Sequence, residues 1–169
     1  NCGFTPGPCK PADREWYATC LSYDEDIPAA AMANGIDWTW ETFPEYMAAV
    51  ERRPKGLNYG MYVGHSALRM YVMGRRALTD EANEEEIRAF ARLVQEALRA
   101  GAVGVSTSLT HTHLTPEGTP VASRQASWKE IEALFAAMTQ IPKDIEEAAS
   151  IDGAGPWQRF RDVTLSMIK

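Results

Sequence analysis

The 169 residues predict an α/β fold, with helices alternating with the strands of a parallel sheet. Three observations carry this. Amphipathic helical stripes recur, each opened by a capping box. Short apolar runs of strand character lie between them. The run at 102–108 follows its helix at once, across a glycine suited to end a helix.

The elements follow in chain order. Residues 1–14, rich in Gly, Pro and Cys, read as loop. Residues 15–41 mix acids with Trp16, Trp38 and Trp40 without a clean period and read as an irregular excursion with short helical turns. "TFPEYMAAVERR" (42–53) reads as a helix: Thr42 caps it, Glu45 completes the box, and Phe43, Tyr46, Met47 and Val50 share a face. "LNYGMYVGH" (57–65) reads as a strand ending at Gly64-His65. "NEEEIRAFARLVQEALRAG" (83–101) is the clearest helix, with Asn83 and Glu86 as its box and a stripe of Ile87, Phe90, Ala91, Val94, Ala97 and Leu98. "AVGVSTS" (102–108) reads as a buried strand, and "SWKEIEALFAAM" (127–138) as a helix boxed by Ser127 and Glu130, with Ile131, Leu134, Phe135 and Met138 inward. The last segment, "WQRFRDVTLSMIK", reads as a helix end running into a strand.

Composition narrows the function classes. The length suits one domain. A hydrophobic fraction of 45% is that of a soluble globular protein, and no apolar run approaches the ~20 residues of a membrane span. The net charge of −6 and the lack of a basic stripe argue against nucleic acid as a partner. Cys2, Cys9 and Cys20 are an odd set without a CxxC pair, which disfavours both a disulfide framework and a zinc knuckle and suits a reducing, cytoplasmic setting.

Few residues offer chemistry. By composition alone Cys2 is a small loop thiol. His65 stands where a strand ends, a position that lines active sites in barrels, and its plainer reading is a hydrogen-bonded core imidazole. His111 and His113 form a His-x-His pair, but within "THTHLTPEGTP", where solvated loop histidines are the commoner case. The hydroxyls at 106–108 lack a G-x-S-x-G elbow, so they suit holding a loop or a substrate better than nucleophilic attack. "DEANEEE" is a solvated helix entrance favoured by the helix dipole.

Four phrases, in order, carry a resemblance: "NCGF", "IDWTWETFPEYMAAVE", "YVGHSALRMYVMG" and "ALRAGAVGVSTSLTHTHLTPEGTPVASRQASWKEIEALFAAM". Together they resemble the N-acyl-D-amino-acid deacylases (D-aminoacylases) of the amidohydrolase superfamily over residues 1–139, and the likeness fades past Gln140. The resemblance implies part of a (β/α)8 TIM-type barrel across 1–169. It also implies Zn2+ as cofactor and hydrolysis of the amide of a small-molecule N-acyl-D-amino acid. The Cys of the "NCG" phrase is a metal ligand in that family, which makes Cys2 the metal residue here. The family's first-strand His-x-His lies upstream of that phrase. Two more ligand histidines and the catalytic Asp lie downstream of what this chain contains, so the catalytic base is unknown and the chain reads as an internal piece. His65, Ser108 and His111 are the substrate-pocket candidates. No membrane partner is implied, and an oligomer is compatible. The passage from Met138 to Pro142 is too short for the family's turn into the next strand, which predicts an omission near 139–141. The alternatives are an inactive barrel remnant serving as a structural or partner-binding subunit, or another cyclic or linear amide hydrolase. The cysteine disfavours the latter, since those relatives carry a lysine there.

Overall fold

A computed structural model describes residues 3–139. Six helices and two strands follow one another: α1 (Arg14–Glu25), α2 (Ala29–Gly35), α3 (Phe43–Glu51), β1 (Tyr62–Gly64), α4 (His65–Met73), α5 (Glu84–Arg99), β2 (Gly104–Ser106) and α6 (Trp128–Thr139). Single 3-10 turns at Pro11–Asp13, Gly74–Leu78 and Ala122–Gln125 join them. β1 and β2 pair in parallel, Tyr62 opposite Gly104, Val63 opposite Val105 and Gly64 opposite Ser106. Two parallel strands cannot be joined by a tight turn, and α4 and α5 form the crossover between them. The described residues are thus an α/β unit rich in helix.

Local chemistry sets the helix starts. The capping boxes at Thr42–Glu45 and Asn83–Glu86 are complete, each carboxylate reaching back to the backbone N–H of its cap. α5 buries Ile87, Phe90, Val94, Ala97 and Leu98, the predicted stripe apart from half-buried Ala91. It ends one residue before Ala100, and Gly101 then takes φ +99°, a left-handed turn that a side chain would strain. α5 lies between α4 and α6, with α3 also in contact, and Phe90 and Val94 reach the core without exposure.

Five elements differ from the sequence reading: α1, the two strands, α4 and α6. Residues 14–25 form a three-turn helix rather than irregular turns, because Tyr17, Cys20 and Leu21 make one buried face. The two strands are three residues each, shorter than 57–65 and 102–108, though Val103 N–H still donates to the Met61 carbonyl at 2.8 Å. Most of the difference is α4. It begins at His65 with no loop after β1 and buries every residue except Tyr71 and Val72, so no amphipathic period announces it. In α6 the inward face is Glu130, Leu134 and Ala137, while Phe135 is 56% exposed; the helix is turned from the predicted stripe to admit the Glu130 carboxylate. The predicted terminal strand, and the expected omission near 139–141, fall largely or wholly outside the described residues.

The N-terminal loop is tied down by an aromatic chain. Phe4 meets Tyr17, which meets Trp38; Trp38 stacks on Trp40, and Tyr46 joins Trp40 to Phe43. Trp40 donates its indole N–H to the Pro6 carbonyl at 2.8 Å, and Cys9 N–H donates to Glu41 at 2.7 Å. Among the described residues no helix is long and apolar enough to cross a membrane.

Two outcomes follow from this packing. Phe90→Ala should destabilise the protein by about 3–5 kcal/mol in chemical denaturation, since the ring is wholly buried. Burial pushes the Cys9 and Cys20 thiols up to about 12, so both should resist a maleimide in the native protein and react once urea unfolds it.

Candidate functional site

The residues with chemistry gather at the C-terminal ends of the two strands. Gly3, which follows Cys2 in the sequence, lies against both. Its carbonyl accepts from Ser66 N–H at 3.0 Å, just past the end of β1. A Cβ on Gly3 would come within 3.3 Å of Thr107 Cα and 3.5 Å of the Ser106 carbonyl, at the end of β2. Its φ of +86° also favours glycine. Gly64 has to be bare for the same contact: a Cβ there would overlap the Gly3 carbonyl. Thr5 completes the seat, accepting Gly64 N–H at 3.1 Å while its hydroxyl donates to the Gly7 carbonyl at 2.7 Å. Cys2 itself lies outside the described residues.

His65 opens α4 and is wholly buried, with both ring nitrogens engaged. Nε2 lies 2.6 Å from Glu130 Oε1, and Nδ1 lies 2.8 Å from Thr107 Oγ1. Arg69, one turn further along α4, grips the other Glu130 oxygen, and its second amino group donates to the Asp80 carbonyl at 2.6 Å. Burial pushes the Glu130 carboxyl up, but the hydrogen bonds from His65 and Arg69 and the positive charge on that side of it outweigh it, leaving the carboxyl below the ordinary glutamate range. Two buried polar atoms here, Arg69 Nε and Ser106 Oγ, have no protein partner.

Ser108 and His113 make a second group. Ser108 Oγ lies 2.7 Å from His113 Nδ1, and the Ser108 carbonyl accepts from the Ser123 hydroxyl at 2.7 Å. Ser123 N–H in turn donates to Ser66 Oγ at 3.1 Å, linking this loop to α4. His111 is exposed on the loop and takes part through its carbonyl, which accepts from Arg124 at 3.2 Å. The structure therefore brings His65 to the end of β2 and Ser108 close by in the chain, and leaves His111 on the surface.

Sequence reasoning missed Arg69 and the inward role of Glu130, and named Thr107 only as one of three strand-end hydroxyls. Arg69 lies one helical turn from His65, and Glu130 was read only as a helix cap. The box at Ser127 is half made: the hydroxyl accepts Glu130 N–H at 3.3 Å, while the carboxylate turns inward to His65 and Arg69. Among the described residues no three His, Cys, Asp or Glu side chains are grouped to hold a metal ion, and His65, with both nitrogens occupied, has no lone pair free for one.

No protein-family model matches the chain. It is 34% identical over 109 residues to a D-aminoacylase of Alcaligenes xylosoxydans xylosoxydans, covering 63% of this chain and 19% of that one. An uncharacterized protein of Mycobacterium tuberculosis is 29% identical over 152 residues, 83% of this chain and 24% of that one. A crystal structure of D-aminoacylase, described as defining a novel subset of amidohydrolases, superposes with a TM-score of 0.56 at 26% identity over 82% of this chain and 25% of that one. Another D-aminoacylase structure, concerned with the role of a binuclear metal center, gives 0.51 at 27% identity over 82% of this chain and 25% of that one. A shorter match, 50% identical over 36 residues, is to a diacetylchitobiose uptake system permease protein of Streptomyces coelicolor, covering 21% of this chain and 11% of that one. The chain spans about a quarter or less of the length of each relative.

Glu130→Gln should cost about 3–5 kcal/mol, because it strips the counter-charge from buried Arg69. The pH dependence has a defined sign. A carboxyl held low in the folded state adds stability at pH above its unfolded range, and that stability is lost as pH falls through the folded value. Acid titration of stability should therefore fall less steeply in Glu130→Gln than in the parent.

Proposed function

Taking the chain's kinship with the D-aminoacylases as premise, we propose that it is part of a metal-dependent amidohydrolase that cleaves the amide bond of N-acyl-D-amino acids to a carboxylate and a D-amino acid. One observation carries the reading beyond sequence likeness: the residue after Cys2 is seated across the C-terminal ends of two neighbouring parallel strands, the end at which barrel enzymes keep their active sites. β1 and β2 are then adjacent strands of a (β/α)8 barrel whose other strands are supplied elsewhere in the protein.

In this reading Cys2 contributes a thiolate to a zinc site completed by ligands this chain does not contain. The metal, when bound, acidifies a water and polarises the amide carbonyl. The described residues shape the site's floor. Gly3 and Gly64 fix how closely the cysteine phrase approaches the strand ends, and the buried His65–Glu130–Arg69 group holds Thr107. Ser108, two residues past β2, is a contact for the substrate, and His111 joins it only if the exposed loop it sits on turns toward the strand ends. The general base belongs to another part of the protein.

The full-length protein should release amine from N-acetyl-D-amino acids, more slowly from the L-forms, and lose activity to a chelator. Cys2→Ala should lower bound metal and reduce turnover by more than ~100-fold. Absence of amine release across a panel of side chains would remove the deacylase reading and favour the inactive remnant.

The permease match favours a second reading for residues 140–169. The deacylase resemblance fades past Gln140, and the permease match, 36 residues long, is somewhat longer than the 140–169 segment. In this reading those residues come from a different kind of protein and the deacylase reading covers 1–139 alone. Sequencing the gene through codons 139–141 and past Lys169 tests it. Continuation into permease sequence supports the separate origin, and continuation into further deacylase phrases ends it.

A further inference from the structure

Thr107 is held by a hydrogen-bond chain whose direction is determined from its buried end. Ionised Glu130 can only accept, so His65 presents Nε2–H to Oε1, 2.6 Å away. The other carboxylate oxygen already faces Arg69. With His65 uncharged, the three side chains sum to zero. A second ring proton would leave a net positive charge where all three residues are wholly buried. Nδ1 is therefore an acceptor, and the Thr107 hydroxyl, 2.8 Å away, is its donor. A hydroxyl has one proton, so Thr107 Oγ1 retains only lone pairs for anything else that meets it.

Thr107 is exposed, sits one residue past β2, and has Gly3 packed against its Cα. We infer that Thr107 is a specificity-determining residue: an acceptor-only oxygen at the strand ends that recognises a donor on the substrate, the N–H of the amide to be cleaved. His65, Glu130 and Arg69 act as positioning residues that fix this polarity. The inference rests on the amide-hydrolase reading and adds the atom that tells an amide from an ester.

The test compares two substrates of the full-length protein, an N-acetyl-D-amino acid and the O-acetyl derivative of the matching D-2-hydroxy acid, which replaces the N–H by oxygen. Thr107→Val should lower kcat/KM for the amide about tenfold relative to the ester, and Thr107→Ser should keep the parent ratio within about threefold. The ratio cancels the greater intrinsic reactivity of the ester. An equal fall on both substrates, or no fall on either, overturns the inference. Nitrogen-15 NMR of the histidine rings supplies a readout free of turnover: the imidazole signal that moves in Thr107→Val should belong to a ring protonated at Nε2 and bare at Nδ1. A proton on Nδ1 overturns the inference. If the parent protein hydrolyses neither substrate, the deacylase reading fails by itself, and the Nδ1 signal alone then decides whether Thr107 is an acceptor.

Discussion

A carboxylate without access to water governs this structure. Glu130 is wholly buried, and an ionised carboxylate there must be met by donors on both oxygens. α4 supplies them from one face, His65 to one oxygen and Arg69 to the other. That requirement fixes the rotation of α6, turning Phe135 outward and Leu134 inward. It also fixes the distance between α4 and α6. Through His65 it extends to Thr107, so one helix's charge defines the end of a strand on another element. Arg69 continues the link to the backbone at Asp80, in the segment that leads into α5.

The opposite side of the strand ends is organised by backbone contact and has little need of charge. The N-terminal loop crosses β1 and β2 where Gly3 and Gly64 meet. The aromatic chain from Phe4 to Phe43 then keeps the loop from lifting away. Two different principles thus hold the two sides of the strand ends: close packing of bare backbone on one, a neutralised set of buried charges on the other. A site that binds a polar substrate benefits from both, because neither side needs to reorganise when the substrate arrives.

Much of the fold was legible because its signals are local. The boxes at Thr42 and Asn83 and the α5 stripe are short-range patterns, and they formed as the sequence implied. α4 was not legible, since a helix buried on nearly every side has no polar face to set its period, and it follows its strand without a break. α1 hid its Tyr17, Cys20 and Leu21 face among acids. The site was half legible. The strand-end position of His65 could be read, but its partners could not: Glu130 lies 65 residues away and carried a sufficient local explanation as a helix cap. A residue that fits two roles equally well is resolved only by tertiary contact.

The meeting of Gly3 and Gly64 is a joint made of main chain alone, and such a joint has no adjustable parts. Where side chains mediate a contact, a larger residue on one side can be answered by a smaller one on the other. Here the separation is set by the radii of a carbonyl and a Cα, with nothing to trim. A change of residue size has to be absorbed elsewhere, on the outer faces of α5 and α6 or in the loop after β2, while the crossing of Gly3 over the strand ends keeps a fixed length.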